Sequence, residues 1–255
     1  MEPVRALTRF TEGVLLPKRA FGMILKGGGL KVRALLPLLI NIVLFGGGLI
    51  AAFTYRVPLV ELVWLKPENP AWYLASLWYV TAVLIFLVIL LIAFFLFTPI
   101  GCLIGGPFND MLSEKTEFLL DPTAADRPFS LTAIIAETAI SLRSELTKLL
   151  FWVAIIVPAL LLNLIPGIGQ ILFAGISGTV GVFMLALQFA DYPMSRRRWT
   201  WRRKYAFLRS DLPRTMGFGA GVALLLAIPL LNLLAIPVCV TAGTIFFKGM
   251  ETKEG

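Results

Sequence analysis

The sequence predicts an all-α integral membrane protein, and three observations carry that expectation. Residues 34–55, 69–109, 149–190 and 215–247 contain no Asp, Glu, Lys or Arg, and together they make 138 of 255 residues. The composition is 58% hydrophobic and only 15% charged, with a mean hydropathy of +0.86. A soluble core cannot absorb that much uncharged Leu, Ile, Val and Phe, whereas a hydrocarbon layer about 30 Å thick takes roughly 20 apolar residues per crossing helix. Finally, the segments are of unequal length, and only 34–55, at 22 residues, fits one simple span. The expected architecture is two long transmembrane helices and two helical hairpins broken by Pro and Asn, half-penetrating the bilayer, with amphipathic cytoplasmic helices, all within one membrane domain, 1–255.

Residues 1–33 are a polar, basic lead-in, and Phe21, Ile24 and Leu25 fall on one face of a helix that would rest on the membrane surface. Gly27-Gly28-Gly29 ends it. Residues 34–55 form the first span. A short loop follows, bordered by Trp64 and Trp72 as interfacial aromatics. One helix over the 41 residues of 69–109 would run about 60 Å at 1.5 Å per residue, twice the hydrocarbon thickness. The second span is therefore placed at 71–104, densest at 80–98, with Thr98-Pro99 and Gly105-Gly106-Pro107 expected to kink or end it. A polar stretch, FNDMLSEKTEF, and a loop from Asp121-Pro122 to Pro128 come next. Ser130 is placed to cap an amphipathic helix with Leu131, Ile134, Ile135, Thr138, Leu142 and Leu146 at helical spacing.

Pro158, Asn163 and Pro166 interrupt the third apolar segment, 149–190; Pro229, Asn232 and Pro237 interrupt the fourth, 215–247. At 33 residues the fourth is too long for one span and too short for two with a turn, which need roughly 40. A re-entrant hairpin resolves this, its apex allowed at membrane depth only where protein or a wet cavity covers the backbone. Segment 149–190 fits either two full spans or a longer hairpin, and the hairpin is favoured by analogy. Between them, 191–214 is a basic segment with Trp199, Trp201, Tyr205 and Phe207 interspersed. Trp201, Tyr205, Leu208 and Leu212 share a helical face, which fits a helix on a lipid surface better than a nucleic-acid site.

Lys plus Arg number 7 in 1–33, 2 in 56–68, 4 in 110–148, 8 in 191–214 and 2 in 248–255. The positive-inside rule places 56–68 outside and the other polar segments, with both termini, in the cytoplasm. Cys102 and Cys239 lie in apolar segments and read as small hydrophobes. The chain has no His, which removes the commonest general base and metal ligand. No nucleophile and base pair up in the sequence, so an enzyme, a metal site and a cofactor are not expected.

Four runs are informative together: GLKVRALLPLLIN at 29–41, GPFNDMLSEK at 106–115, DYPMSRRR at 191–198 and GFGAGVALLLAIPLLNLLAIPVCVTAGT at 217–244. Their order and spacing over about residues 10–247 resemble the CysZ sulfate permease family, within the wider etoposide-induced-protein family. The resemblance implies sulfate uptake across the bacterial inner membrane for cysteine biosynthesis, two long and two pairs of half-penetrating helices, and a homo-oligomer, dimer or higher. It implies that sulfate, or a related oxyanion, binds where the first long helix begins. The family's Gly-Leu-Arg-Arg motif matches Gly29, Leu30, Lys31 and Val32, with Arg33 one place later and rotated by about 100°. The candidate site is thus Gly28, Gly29, Leu30, Lys31 and Arg33: glycines admit an anion to free N–H groups at a helix start, and two cations add charge. The plain alternative is a turn whose basic residues anchor the helix at lipid headgroups.

Asn41, Asn109, Asn163 and Asn232, with Glu114 and Lys115, are candidates for an ion path or gate. A buried amide without partners costs on the order of 1–3 kcal/mol, so the asparagines serve either as lining or as caps for broken helices. Gly217, Gly219 and Gly221, like Gly175, Gly178 and Gly181, are expected at close helix contacts, either within a protomer or between protomers. No ionisable group lies inside the apolar segments, which favours a channel-like path over a proton relay. The rival reading is a non-transporting structural or lipid-remodelling membrane protein.

Overall fold

The computed structural model describes residues 2–27, 29–65, 71–123, 131–228 and 232–254. Every regular element among them is helical. In chain order they are α1 (Glu2–Val14), α2 (Leu16–Lys26), α3 (Leu30–Thr54), α4 (Arg56–Glu61), α5 (Trp72–Leu120), α6 (Leu131–Leu160), α7 (Ile168–Arg196), α8 (Trp201–Ser210), α9 (Leu212–Leu226) and α10 (Asn232–Glu254). A single 3-10 turn, Leu161–Leu164, lies between α6 and α7. The chain is an all-α membrane protein.

Three described stretches are long and apolar enough to cross a bilayer: Trp72–Ile92, Leu146–Leu164 and Ile168–Arg196, of 21, 19 and 29 residues. In their most apolar parts few residues are buried. Val83, Leu87 and Leu91 on α5 are more than half exposed, which would be unfavourable in water at roughly 25 cal/mol per Å² and is natural against lipid. Both limbs of the α6–α7 hairpin therefore reach the length of a full span. By contrast, α9 has 15 residues, about 22 Å at 1.5 Å per residue, and is short of the hydrocarbon thickness.

Several sequence expectations are corrected. α5 does not end at Thr98-Pro99 or Gly105-Gly106-Pro107; it runs unbroken for 49 residues and takes in FNDMLSEKTEF. A proline removes one helical hydrogen bond, whereas a full break inside an apolar layer strands several backbone groups. α6 likewise joins the expected cytoplasmic helix and the start of the third apolar segment into 30 residues. Pro158 lies inside α6 and Pro237 inside α10; the first hairpin turns after Pro158, at Leu161–Gly167, which takes in Asn163 and Pro166, with Gly167 at φ +79°. Ser130, the loop at 124–128 and Pro229 are outside the described residues.

The chain divides into two compact units, residues 37–106 and residues 1–36 with 107–255. The smaller holds α4 and most of α3 and α5; there Phe53 and Phe86 meet edge to face at 5.6 Å, and the Trp78 indole N–H donates to the Trp64 carbonyl at 3.3 Å.

The larger unit has a buried core of Leu16, Leu30, Leu112, Leu187, Met194, Phe218 and Phe246, each at most 1% exposed. α1 packs on α9, α2 on α10, and α7 on both α9 and α10. Glycine sets the closeness. A Cβ built at Gly217 would sit 2.0 Å from the Phe10 carbonyl oxygen, and one at Gly219 2.0 Å from that of Val182. Cβ atoms built at Gly175, Gly178 and Gly181 meet nothing within 4 Å among the described residues of the protomer.

The amphipathic lead-in is docked on protein through a face that shares only Ile24 with the expected stripe. Leu16, Ala20 and Ile24 are buried, while Phe21 and Leu25 remain half exposed. The basic segment is corrected in the same way: Leu208 is fully buried, and Tyr205 packs on Phe151 and Phe183 with ring centroids at 5.8 and 5.6 Å. That face of α8 meets aromatic side chains of α6 and α7. Leu212, at 46% exposure, is the member of the expected stripe left outside.

Candidate functional site

The corner between α2 and α3 holds the anion-site candidates. α2 stops where the Gly27 N–H donates to the Met23 carbonyl at 2.7 Å. Gly27 is also the close-fitting residue of the turn, since a Cβ there would meet Leu30 Cδ1 at 2.6 Å. Gly28 lies outside the described residues. Gly29 has φ +82°, a conformation that side-chain-bearing residues enter at a cost. Leu30 then buries fully in the core and pins the start of α3. Lys31 and Val32 are exposed and Arg33 is half buried. The Arg33 N–H closes the first turn on the Gly29 carbonyl at 3.4 Å. The N–H groups of Leu30, Lys31 and Val32 fall in the first turn, which has no intrahelical acceptors for them, and the helix dipole adds positive potential. Beside the corner is a shallow groove of about 500 Å³ lined by Arg19, Gly22, Met23, Lys26, Gly27 and Leu119.

A second constellation joins the ends of α5, α7 and α10. Arg196 donates through Nη1 to Asp110 Oδ1 and to the Asp110 carbonyl at 3.2 Å, and through Nη2 to Ser113 Oγ at 3.1 Å and Glu117 Oε2 at 2.9 Å. Arg197 Nη2 donates to the other carboxylate oxygen, Glu117 Oε1, and pairs with Glu251 at 3.4 Å. Lys248 extends the chain to Glu251 at 2.8 Å and Asp121 at 3.1 Å. Ser113 and Thr244 share a hydroxyl hydrogen bond at 2.8 Å. Two of the informative runs, GPFNDMLSEK and DYPMSRRR, thus meet in one ionic network.

The electrostatics follow from geometry. Burial pushes the Glu117 carboxyl upward, but hydrogen bonds from Arg197 and Arg196 and their charges outweigh it, and the net shift is below the usual carboxylate range. Asp121 is held down at about 2, first by the Thr123 hydroxyl and then by Lys248. For Lys248, burial pulls down while Glu251 and Asp121 raise the ammonium above its ordinary value.

The same helix end carries a third cluster, of which the sequence places only Lys204, on the helix expected at a lipid surface. Asp191 forms ion pairs with Lys204 and, at 3.2 Å, with Lys148, and all three side chains are at most 8% exposed. Lys148 also donates to Gln188 at 2.9 Å and Lys204 to Ser195 at 2.8 Å.

The remaining candidates separate. Asn109 is buried, and its Oδ1 has no hydrogen-bond partner among the described residues. Asn163 sits in the 3-10 turn and donates to the Leu160 carbonyl at 3.2 Å, acting as a cap for the broken helix. Lys115 lies over the Phe118 ring at 4.5 Å; Glu114 is half buried. The side chains of Asn41 and Asn232 are outside the described residues. Sequence reasoning did not pair Arg196 and Arg197 with Glu117. The available signal was the i, i+3/i+4/i+7 spacing of Asp110, Ser113 and Glu117 on one helical face.

The description "Sulfate transporter CysZ/Etoposide-induced protein 2.4" belongs to a family model that matches residues 16–237. The chain belongs to this family. CysZ relatives agree along nearly the whole length. A protein named sulfate transporter CysZ from Pseudomonas aeruginosa (strain LESB58) is 33% identical over 229 residues, 89% of this chain and 90% of its own. One of the same name from Pseudomonas fluorescens (strain Pf0-1) is 34% identical over 86% of each chain. One from Pectobacterium atrosepticum is 34% identical over 85% of this chain and 77% of its own. The CysZ family match takes in the α2–α3 corner and the Asp110–Glu117–Arg196–Arg197 contacts, while Lys248 and Glu251 lie beyond it.

Proposed function

We propose that this chain is a sulfate permease of the bacterial inner membrane that supplies sulfate for cysteine biosynthesis. The observation that carries the reading is the agreement with relatives named sulfate transporter CysZ over 89% of the chain. In this reading residues 1–255 form one membrane domain with both termini in the cytoplasm, working as a homo-oligomer among membrane lipids. Sulfate is received at Gly28, Gly29, Leu30, Lys31 and Arg33, where a helix start, two glycines and two cations suit a dianion. Asn41, Asn109 and Asn232 contribute to a polar path, and Glu114 and Lys115 to its gate, while Asn163 caps the hairpin turn; the unpartnered buried oxygen of Asn109 supports a polar lining there.

The path is channel-like. The four apolar segments hold no Asp, Glu, Lys or Arg and the chain has no His, which leaves no relay for coupled protons across the hydrocarbon. A dianion moving inward against 100 mV meets about 4.6 kcal/mol, at about 2.3 per charge, so net uptake relies on consumption of sulfate inside. The test is radiolabelled sulfate uptake into liposomes containing the purified protein. Uptake above protein-free liposomes is expected. Its absence, with the protein folded and inserted, would leave the structural or lipid-remodelling reading.

A further inference from the structure

Arg196 and Arg197 direct neighbouring Nη2 atoms at the two oxygens of one carboxylate, Glu117. Each guanidinium is also fixed by other groups. Asp110 holds Nη1 of Arg196 and Ser113 shares its Nη2. Arg197 lies over the Phe247 ring at 4.6 Å, donates through Nη1 to the Pro193 carbonyl at 3.2 Å and faces Glu251. The donors therefore keep their aim without Glu117, which makes Glu117 the replaceable ligand. Guanidinium forks match the paired oxygens of a carboxylate and of a tetrahedral oxyanion alike. The open side is toward Arg197 and Glu251, whose side chains are 28% and 37% exposed, against 8% for Glu117.

We propose that Arg196 and Arg197 form a second oxyanion site, for a tetrahedral dianion such as sulfate, with the Glu117 carboxylate as its tethered competitor. The identity of the oxyanion rests on the permease reading; the site itself does not. A permeation site must hold its ion loosely enough to release it. Two preorganised guanidiniums alone would hold a dianion long, and a carboxylate on the same helix face as Asp110 and Ser113 returns to displace it. The α2–α3 corner has exposed Lys31 and no such competitor among the described residues, so the two sites differ in how they let go.

The experiment is equilibrium binding of radiolabelled sulfate to purified full-length protein. The background is the Lys31→Ala, Arg33→Ala double variant, which removes the corner's cations. Adding Glu117→Gln is expected to tighten sulfate binding tenfold or more and to slow its dissociation, with chloride a poor competitor. Adding Arg197→Gln should abolish that gain. No gain on Glu117→Gln, or a gain that survives Arg197→Gln, overturns the proposal and leaves the network a structural ion cluster. If Glu117→Gln does not fold, Glu117→Asp, one methylene shorter and still charged, is expected to give a smaller gain; no gain there overturns the proposal as well. The two readings fail separately: sulfate flux by the unmodified protein without any gain in binding removes the second site only, and a gain in binding without flux removes the permease only.

Discussion

Asp191 lies between two ammonium groups, and all three side chains are at most 8% exposed. Removing one member of a buried ionic cluster leaves charge uncompensated and costs about 3–5 kcal/mol. Asp191→Asn is therefore expected to lower the unfolding free energy of the detergent-solubilised protein by that amount; a loss under about 1 kcal/mol would contradict the placement. Glu117 gives a pH dependence of defined sign. Its carboxyl is shifted below its ordinary 4.5, so its contribution to stability is present above that value and lost as pH falls through the lower, folded one. Melting between pH 6 and more acidic buffer should show a fall that Glu117→Gln removes. At the corner, Lys31→Ala is expected to weaken sulfate binding more than Arg33→Ala, because Lys31 is exposed at the matched position and Arg33 is half buried. A lost charge-assisted hydrogen bond of about 1.5–3 kcal/mol is a tenfold or greater change, and equal or absent effects in binding isotherms would reassign the site. These residues were unevenly legible. Glycines followed by cations at a helix start announce themselves, whereas Arg196 and Glu117, 79 positions apart, have no local signature of each other.

Helices were readable where one physical demand dominates. The uncharged segments mark apolar helices because lipid admits little else, and Asn163 and Pro166 mark the turn of the first hairpin; the apex expected for the second lies outside the described residues. Boundaries failed where two demands compete. Pro99, Pro158 and Pro237 read as breaks, yet a single lost hydrogen bond did not outweigh continuity of the helix. The amphipathic stripe on α8 gave the periodicity of a buried face but not its partner, since lipid and protein select the same residues, and that on α2 shared only Ile24 with the buried face. Glycines show the same limit. Gly217 and Gly178 look alike in sequence, but only the first has a neighbour at contact distance. Gly217→Val is expected to push α1 from α9 and lower stability by about 1–3 kcal/mol, read as a reduced melting midpoint. Gly178→Ala should leave the protomer as stable or up to about 1 kcal/mol more stable, because alanine favours the helix.

The charge pattern of the whole chain leads to the mode of transport. Its basic residues lie outside the uncharged segments, and Arg196, Arg197, Lys148 and Lys204 are gathered into ionic clusters with acidic partners. A carrier that couples sulfate to protons needs groups that change charge within the hydrocarbon, and the uncharged segments contain none. Sulfate flux into liposomes is therefore expected to persist when a protonophore collapses the pH gradient at clamped potential, and to change direction with the imposed potential. Selectivity would come from replacing the ion's hydration shell with fixed donors, so chloride, with one charge and no oxygens to accept from several N–H groups, should compete poorly. Uptake that vanishes when the pH gradient alone is removed, with constant pH on the sulfate-binding side, would rule out the passive path. Asp110, Glu114 and Glu117, on the C-terminal part of α5, would then be the groups to replace in turn, with loss of proton dependence in one of them marking the carrier.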